Sequence, residues 1–284
     1  MGVCRSMGRY EQHLARSRPN IVNLVETVPV LDTPPLPPDW LRCEVLERSL
    51  VVHHAGITPG ETVLEVGAGG HAISTLPLAL EVGPKGRVFA IERSRWAQFR
   101  QIVWASGLED RTHLVACDAR HLPFRPDSVD VAACVHGVRS LGGEEAIVEV
   151  LREMFRVAPR VFLAESLPIA RNNAQAAHLA MYALREQVFE ATTGRKDDRH
   201  YLPLHEMSDL VEQAGGLVTK SITLEIDLPH ALAYFPREMV ESVPGEKERE
   251  ELLHQWDEAK SLIERHGEDH PPVGVILADR HQER

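Results

Sequence analysis

The chain has 284 residues, 43% of them hydrophobic, and a formal net charge of −11. That length and apolar content supply a substantial core, and the acidic surplus argues against nucleic acid as partner, because neutralising phosphates takes a basic surface. No stretch approaches the ~20 apolar residues needed to span a bilayer, and the four cysteines (Cys4, Cys43, Cys117 and Cys134) are too far apart for a metal motif.

Residues 1–18 are basic through Arg5, Arg9, Arg16 and Arg18 and lack the apolar segment of a secretion signal, so the expected location is the cytoplasm. Residues 1–38 read as an N-terminal arm or lid ending in the proline cluster Thr33-Pro-Pro-Leu-Pro-Pro38, with Tyr10 placed to reach a substrate. One domain is expected over 39–284. Asp39 reads as a helix N-cap, with Leu41, Val45, Leu46 and Leu50 on one apolar face, and Thr58-Pro-Gly60 closes that segment.

Strands are then predicted at 61–66, 86–91, 112–117, 128–135 and 160–165, with helices near 70–82, 94–107 and 143–157. Such alternation gives a parallel sheet with right-handed crossovers. After Glu165 the rhythm changes. A helical stretch over 172–193 and a charged loop lead to a helix near 205–215 and a strand near 217–227. Residues 237–267 carry charge at about half their positions, with Leu252, Leu253, Trp256, Ala259, Leu262 and Ile263 at helical spacing, which predicts a surface amphipathic helix before a last strand at 273–278.

The most informative segment is Val63-Leu-Glu-Val-Gly-Ala-Gly-Gly-His71, an apolar strand running into glycines. Glycine lets backbone turn tightly beside a ligand, and the following helix start offers unpaired N–H groups. Gly67-x-Gly69-x-x-Ala72 also fits the dinucleotide pattern of NAD(P)-dependent oxidoreductases. The acids around it separate the readings. Glu65 lies inside the first strand, Glu92 ends the second and Asp118 the third. A pyrophosphate at that rim is repelled by Glu65, whereas a cationic ligand with an amino group, a ribose diol and an adenine amine finds three acceptors.

On these residues the chain resembles the class I S-adenosylmethionine (SAM)-dependent methyltransferases. The likeness extends through Leu122-Pro-Phe-Arg-Pro-Asp-Ser-Val-Asp-Val131 and Glu149-Val-Leu-Arg-Glu-Met-Phe-Arg-Val157, and Glu212-Gln-Ala-Gly-Gly216 looks like the family's helix end before strand six. The stretch Val131-Ala-Ala-Cys-Val-His-Gly-Val-Arg-Ser-Leu141 is similar to the ubiquinone/menaquinone-type C-methyltransferases, although Ser140 stands where those have asparagine. The resemblance implies a Rossmann-like, doubly wound seven-stranded α/β sheet with an antiparallel last strand. It also implies a helical substrate cap at about 167–210 and an added helix at about 237–267.

For the site, the resemblance implies SAM as cofactor. Glu65 falls near the methionine moiety, Gly67, Ala68 and Gly69 in the turn, Glu92 and Arg93 at the ribose, Asp118 and Ala119 at the adenine, and Val135 on the adjoining strand end. His71 replaces the family's third glycine and is expected to reshape the methionine end. At the end of strand four, His136 either removes a proton from the acceptor or only packs against the cofactor. Arg139 either polarises a substrate oxygen or forms a surface salt bridge. His200 and Tyr201 join Tyr10 as substrate-side candidates, and Trp96 and Phe99 as flanks of the adenine. No metal is expected. The expected function is methyl transfer to a small-molecule acceptor at oxygen, nitrogen or carbon, by a chain that is either a monomer or a homodimer. The alternatives are a non-catalytic SAM-binding regulatory protein and an NAD(P)-dependent oxidoreductase.

Overall fold

Strand β1 (Thr62–Val66) is buried over four of its five residues, as a central strand covered on both faces requires. The computed structural model describes residues 19–29, 40–194, 201–226 and 235–281. Beside β1 lie β2 (Arg87–Ile91) and β3 (Thr112–Val115) on one side, and β4 (Val131–Val135) and β5 (Arg160–Ser166) on the other, all parallel. Then β7 (Val273–Arg280) pairs antiparallel with both β5 and the edge strand β6 (Gly216–Leu224). The order is β3-β2-β1-β4-β5-β7-β6. It reverses between β1 and β4, and ligands of open α/β sheets bind outside the carboxyl ends of the strands at such a switch point.

Successive side chains of β1 enter opposite cores. Val63 packs with helices α1 (Pro19–Thr27), α2 (Trp40–Val52), α3 (Thr75–Val82) and α4 (Trp96–Ala105). Leu64 and Val66 pack with α5 (Glu144–Val157) and α7 (Leu204–Gln213) on the other face. This period-two division builds the sheet's three layers. Phe99 is buried in the first core, so its role is helix packing.

Three expected boundaries shift for local reasons. Helix α3 starts at Thr75 rather than near 70, because Gly67, Gly69 and Ala72 have φ of 76°, 68° and 52°, which a right-handed helix excludes. Strand β4 starts at Val131 rather than 128, since Asp127 turns with φ 53° and the Ser128 and Val129 amides donate to the Val157 carbonyl at the end of α5. The helix expected over 237–267 is two helices, α8 (Arg237–Glu241) and α9 (Glu246–His266), divided at Pro244.

Helix α9 lies against α6 (Asn173–Thr193) and makes a third core with it, in which Met181, Leu184 and Val188 meet Leu252 and Ala259. Trp256 is half-buried there, its indole N–H donating to the Phe235 carbonyl at 3.1 Å. The added helix is therefore one half of a packed helical pair, which explains its apolar stripe.

Candidate functional site

A cavity of about 480 Å³ opens at the carboxyl ends of β1, β2, β3 and β4, within the roughly 300–1,000 Å³ typical of small-molecule sites. Gly67 and Gly137 face each other across its floor. A Cβ on Gly67 lies 3.8 Å from the Gly137 Cα, and one on Gly137 lies 2.9 Å from Cys134 Sγ and 3.4 Å from the Val66 carbonyl. The two chain turns are thus packed backbone to backbone, leaving the space above them for a ligand.

Glu92, Arg93, Asp118 and Ala119 line the cavity with Gly67, Gly69 and His136. Glu92 is fixed from both sides. The Gly69 amide donates to its Oε2 at 2.9 Å and the Ser94 amide to its Oε1 at 2.9 Å. The glycine turn is therefore tied to the end of β2 through this carboxylate, with acceptor capacity left over. Asp118 is held by Arg120, whose side chain forms contacts of 2.6–3.2 Å with both oxygens. Those hydrogen bonds keep the Asp118 carboxyl well below the usual carboxylate range.

Glu65 stands apart from this rim. It is fully buried behind the glycine turn, accepting from the Ser74 and Thr75 hydroxyls at 2.5 Å each. Burial pushes its pKa up to about 7, against the lowering effect of those two hydrogen bonds. Its side chain braces the start of α3 and is not among the cavity's lining, so a direct contact with a methionine moiety is not what this arrangement offers. Ala68 and Val135 are buried beside the cavity rather than lining it. The Ala68 amide donates to the Ile91 carbonyl at 3.1 Å.

His71 also turns away. Its ring meets Trp40 edge-on at 4.9 Å between centroids, and its Nε2 is 2.8 Å from Gln98 Nε2. Burial and the nearby Arg95 lower its pKa. Four residues of loop between Gly70 and α3 let the larger side chain turn away from the cavity lining. Trp96 donates its indole N–H to the Glu92 carbonyl at 3.0 Å and is not part of the lining.

At the end of β4, His136 has φ 51°, a left-handed conformation that costs a non-glycine residue about 1–2 kcal/mol. Its amide donates to the Ala164 carbonyl at 2.7 Å. Although the residue borders the cavity, its imidazole is only 4% exposed and reaches into a buried polar cluster. There Nδ1 is 3.1 Å from Ser166 Oγ and 3.6 Å from Glu165, and Nε2 is 3.4 Å from Glu47 of α2. Ser166 Oγ is also 3.4 Å from His270 Nε2.

Arg139 is paired with Glu165 and not with a surface acid. Its guanidinium lies 5.3 Å from the Tyr201 ring centroid. Burial opposes its charge, but the Glu165 carboxylate beside it holds the Arg139 pKa above its ordinary value. Tyr201 stacks edge-on against Tyr182 at 5.8 Å, and burial raises its phenol pKa. Arg139 and Tyr201 are therefore brought together, next to His136 through the shared Glu165. Tyr10 and His200 lie outside the described residues.

Sequence reasoning missed Glu47, Arg120, Glu165, Ser166 and His270. Glu165 carried a signal, being one more acid near the end of a parallel strand. Glu47 and His270 had none, since they come from α2 and from the segment before β7. Among the described residues no group of three or more histidines, cysteines or acids is arranged to hold a metal, and no helix is long and apolar enough to cross a membrane.

Residues 64–160 match the family model described as a methyltransferase domain. A ubiquinone/menaquinone biosynthesis C-methyltransferase from Cupriavidus taiwanensis is 27% identical over 122 residues, covering 42% of this chain and 49% of that protein. The chain thus aligns with about half the length of the curated relatives it matches. Among solved structures, a cyclopropane-fatty-acyl-phospholipid synthase-like protein from Lactobacillus casei superposes with a TM-score of 0.73 at 15% identity, covering 92% of this chain and 99% of that one. A SAM-dependent methyltransferase from Aquifex aeolicus gives 0.50 at 17% identity, covering 84% and 91%. At these identities the two structures speak to the fold, which is the mixed seven-stranded sheet described above.

Proposed function

We infer that this chain, a class I SAM-dependent methyltransferase by its matched domain and fold, transfers a methyl group to a small-molecule acceptor. The observation that carries the reading is the Glu92 carboxylate, locked by the Gly69 amide at the mouth of a glycine-floored cavity with Asp118 on the neighbouring strand end. The residues present suit SAM. The Gly67–Gly137 floor is a cradle that a Cβ fills, and Glu92 and Asp118 put two carboxylates on the cavity's lining.

When bound, SAM supplies both the methyl group and the sulfonium leaving group. In this reading Glu92 accepts from the ribose hydroxyls, Asp118 from the adenine amine, and the amides of the glycine turn face the amino-acid end. Glu65 acts behind them by holding α3 in place. What remains for the protein is alignment and exclusion of water, and oriented proximity alone can carry about 7–11 kcal/mol of a barrier. His136 and Arg139 belong to the acceptor side, with Tyr201 and the cap formed by α6. Glu47 and Glu165 flank the His136 ring and hold it in the buried cluster beside the end of β4, whether it moves a proton or only shapes the pocket.

The net charge of −11 favours a small molecule over nucleic acid as acceptor. The similarity to C-methyltransferases makes carbon one acceptor atom to test first, beside oxygen and nitrogen. A cytoplasmic location is part of the same proposal. Isothermal titration with SAM, S-adenosylhomocysteine (SAH) and NAD(H) tests it. Saturable binding of SAM and SAH, lost in Glu92→Ala, supports the reading. Binding of NAD(H) alone, or SAM binding unaffected by Glu92→Ala, overturns it.

A further inference from the structure

The acid assigned to the adenine amine is already occupied. A carboxylate offers about four acceptor positions on its two oxygens. Arg120 makes four contacts with Asp118: its backbone N–H donates to Oδ1 at 2.9 Å, Nε lies 3.1 Å from Oδ1 and 3.2 Å from Oδ2, and Nη2 lies 2.6 Å from Oδ2. Glu92 differs, with backbone donors on each oxygen and no guanidinium across its face. Arg120 itself lines the cavity, and its side chain is 47% exposed, so it is free to swing into solvent.

We propose that Arg120 is a latch on the cofactor's base subsite: its guanidinium occupies Asp118 in the free protein, and an adenine amine binds by displacing it. This rests on the assignment of Asp118 to the adenine amine. A group that carries its own N–H donor, as adenine does, can make that exchange, because Asp118 then trades one donor for another. A purine with hydrogen in place of the 6-amine has no N–H donor on that edge and cannot make the exchange. Arg120 thereby competes with the base amine for Asp118, at a cost in affinity that equals the fraction of time the latch is closed. An exposed ion pair of this kind is worth a factor of about two to five in an equilibrium, so the latch trims affinity without blocking the site.

The test titrates SAH, which has no net charge and so avoids any general attraction to or repulsion from an arginine. The proteins are wild type, Arg120→Ala, Asp118→Asn and the double variant, with the melting temperature of each ligand-free protein as a check on folding. Arg120→Ala is expected to bind SAH about two- to fivefold more tightly than wild type at low salt. The gain should shrink at about 0.5 M salt as the exposed pair is screened. It should vanish in the Asp118→Asn background, and the SAH analogue with hydrogen in place of the 6-amine should gain nothing. Weaker or unchanged SAH binding in Arg120→Ala overturns the latch, as does a gain of equal size when Asp118 is already Asn. Failure of the underlying assignment looks different: wild type does not bind SAH, or the double variant binds it as well as Arg120→Ala does.

Discussion

Glu65→Gln isolates the one carboxyl that, among the described residues, is buried completely without a cation. Its pKa is pushed up from 4.5 to about 7, and each pH unit of that interval is worth about 1.4 kcal/mol. Between pH 4.5 and 7 the folded protein holds the Glu65 proton more tightly than the unfolded chain does. The contribution to stability is therefore fully present below the unfolded pKa and is lost as the pH rises through the folded one. Above pH 7 the ionised, buried carboxylate costs about 3 kcal/mol relative to pH 4.5. Glutamine has nearly the same shape and never ionises. Its amide oxygen accepts from one of the Ser74 and Thr75 hydroxyls, and the other hydroxyl turns to accept from the amide nitrogen.

Urea denaturation of both proteins at pH 5 and pH 8 reads the difference. Near pH 5 the two are expected to be close, since protonated glutamic acid and glutamine are near-isosteres. At pH 8 the variant is expected to be more stable, by up to about 3 kcal/mol. A wild-type-to-variant difference that is the same at both pH values would refute the reasoning, since it would mean that Glu65 is not desolvated behind the turn.

Two further substitutions probe the site's frame. Arg139→Met leaves Glu165 buried with its strongest partner gone, and breaking such a pair costs about 3–5 kcal/mol. At about 2–4 °C per kcal/mol for a chain somewhat shorter than this one, the melting temperature should fall by roughly 6–20 °C, with much of it recovered when Glu165→Gln is added. A fall of less than a degree would contradict the pairing. Gly137→Ala places a Cβ 2.9 Å from Cys134 Sγ, costing about 1–3 kcal/mol of overpacking. It should also weaken SAM binding by narrowing the floor opposite Gly67. Unchanged stability together with unchanged SAM affinity would show that the two turns are not in close contact.

Most of the sheet was legible because its signals are local. Short apolar runs, one containing Glu65 and two followed by Glu92 and Asp118, mark β1, β2 and β3, and the alternation with helices sets parallel pairing. The side-chain directions were less legible. Glu65 and His71 both sit at positions where the motif points to a ligand, yet the loop over 67–74 sends one beneath the turn and the other towards Trp40. That route depends on the positive φ of Ala72, which no spacing in the sequence announces. The cluster around His136 and Arg139 was hardest to read. His136 and Arg139 are close in sequence, but the partners that define them, Glu47, Glu165, Ser166 and His270, come from three segments up to 223 positions apart. Only the fold brings those together.

The most direct test of the central claim is a crystal structure of the protein with SAH. The account predicts the adenosyl group in the cavity at the ends of β1–β4, its ribose hydroxyls on Glu92 and its adenine amine on Asp118, with Arg120 displaced. SAH bound elsewhere on the molecule, or an adenine amine that stays off Asp118 while Arg120 keeps its contacts there, would contradict it.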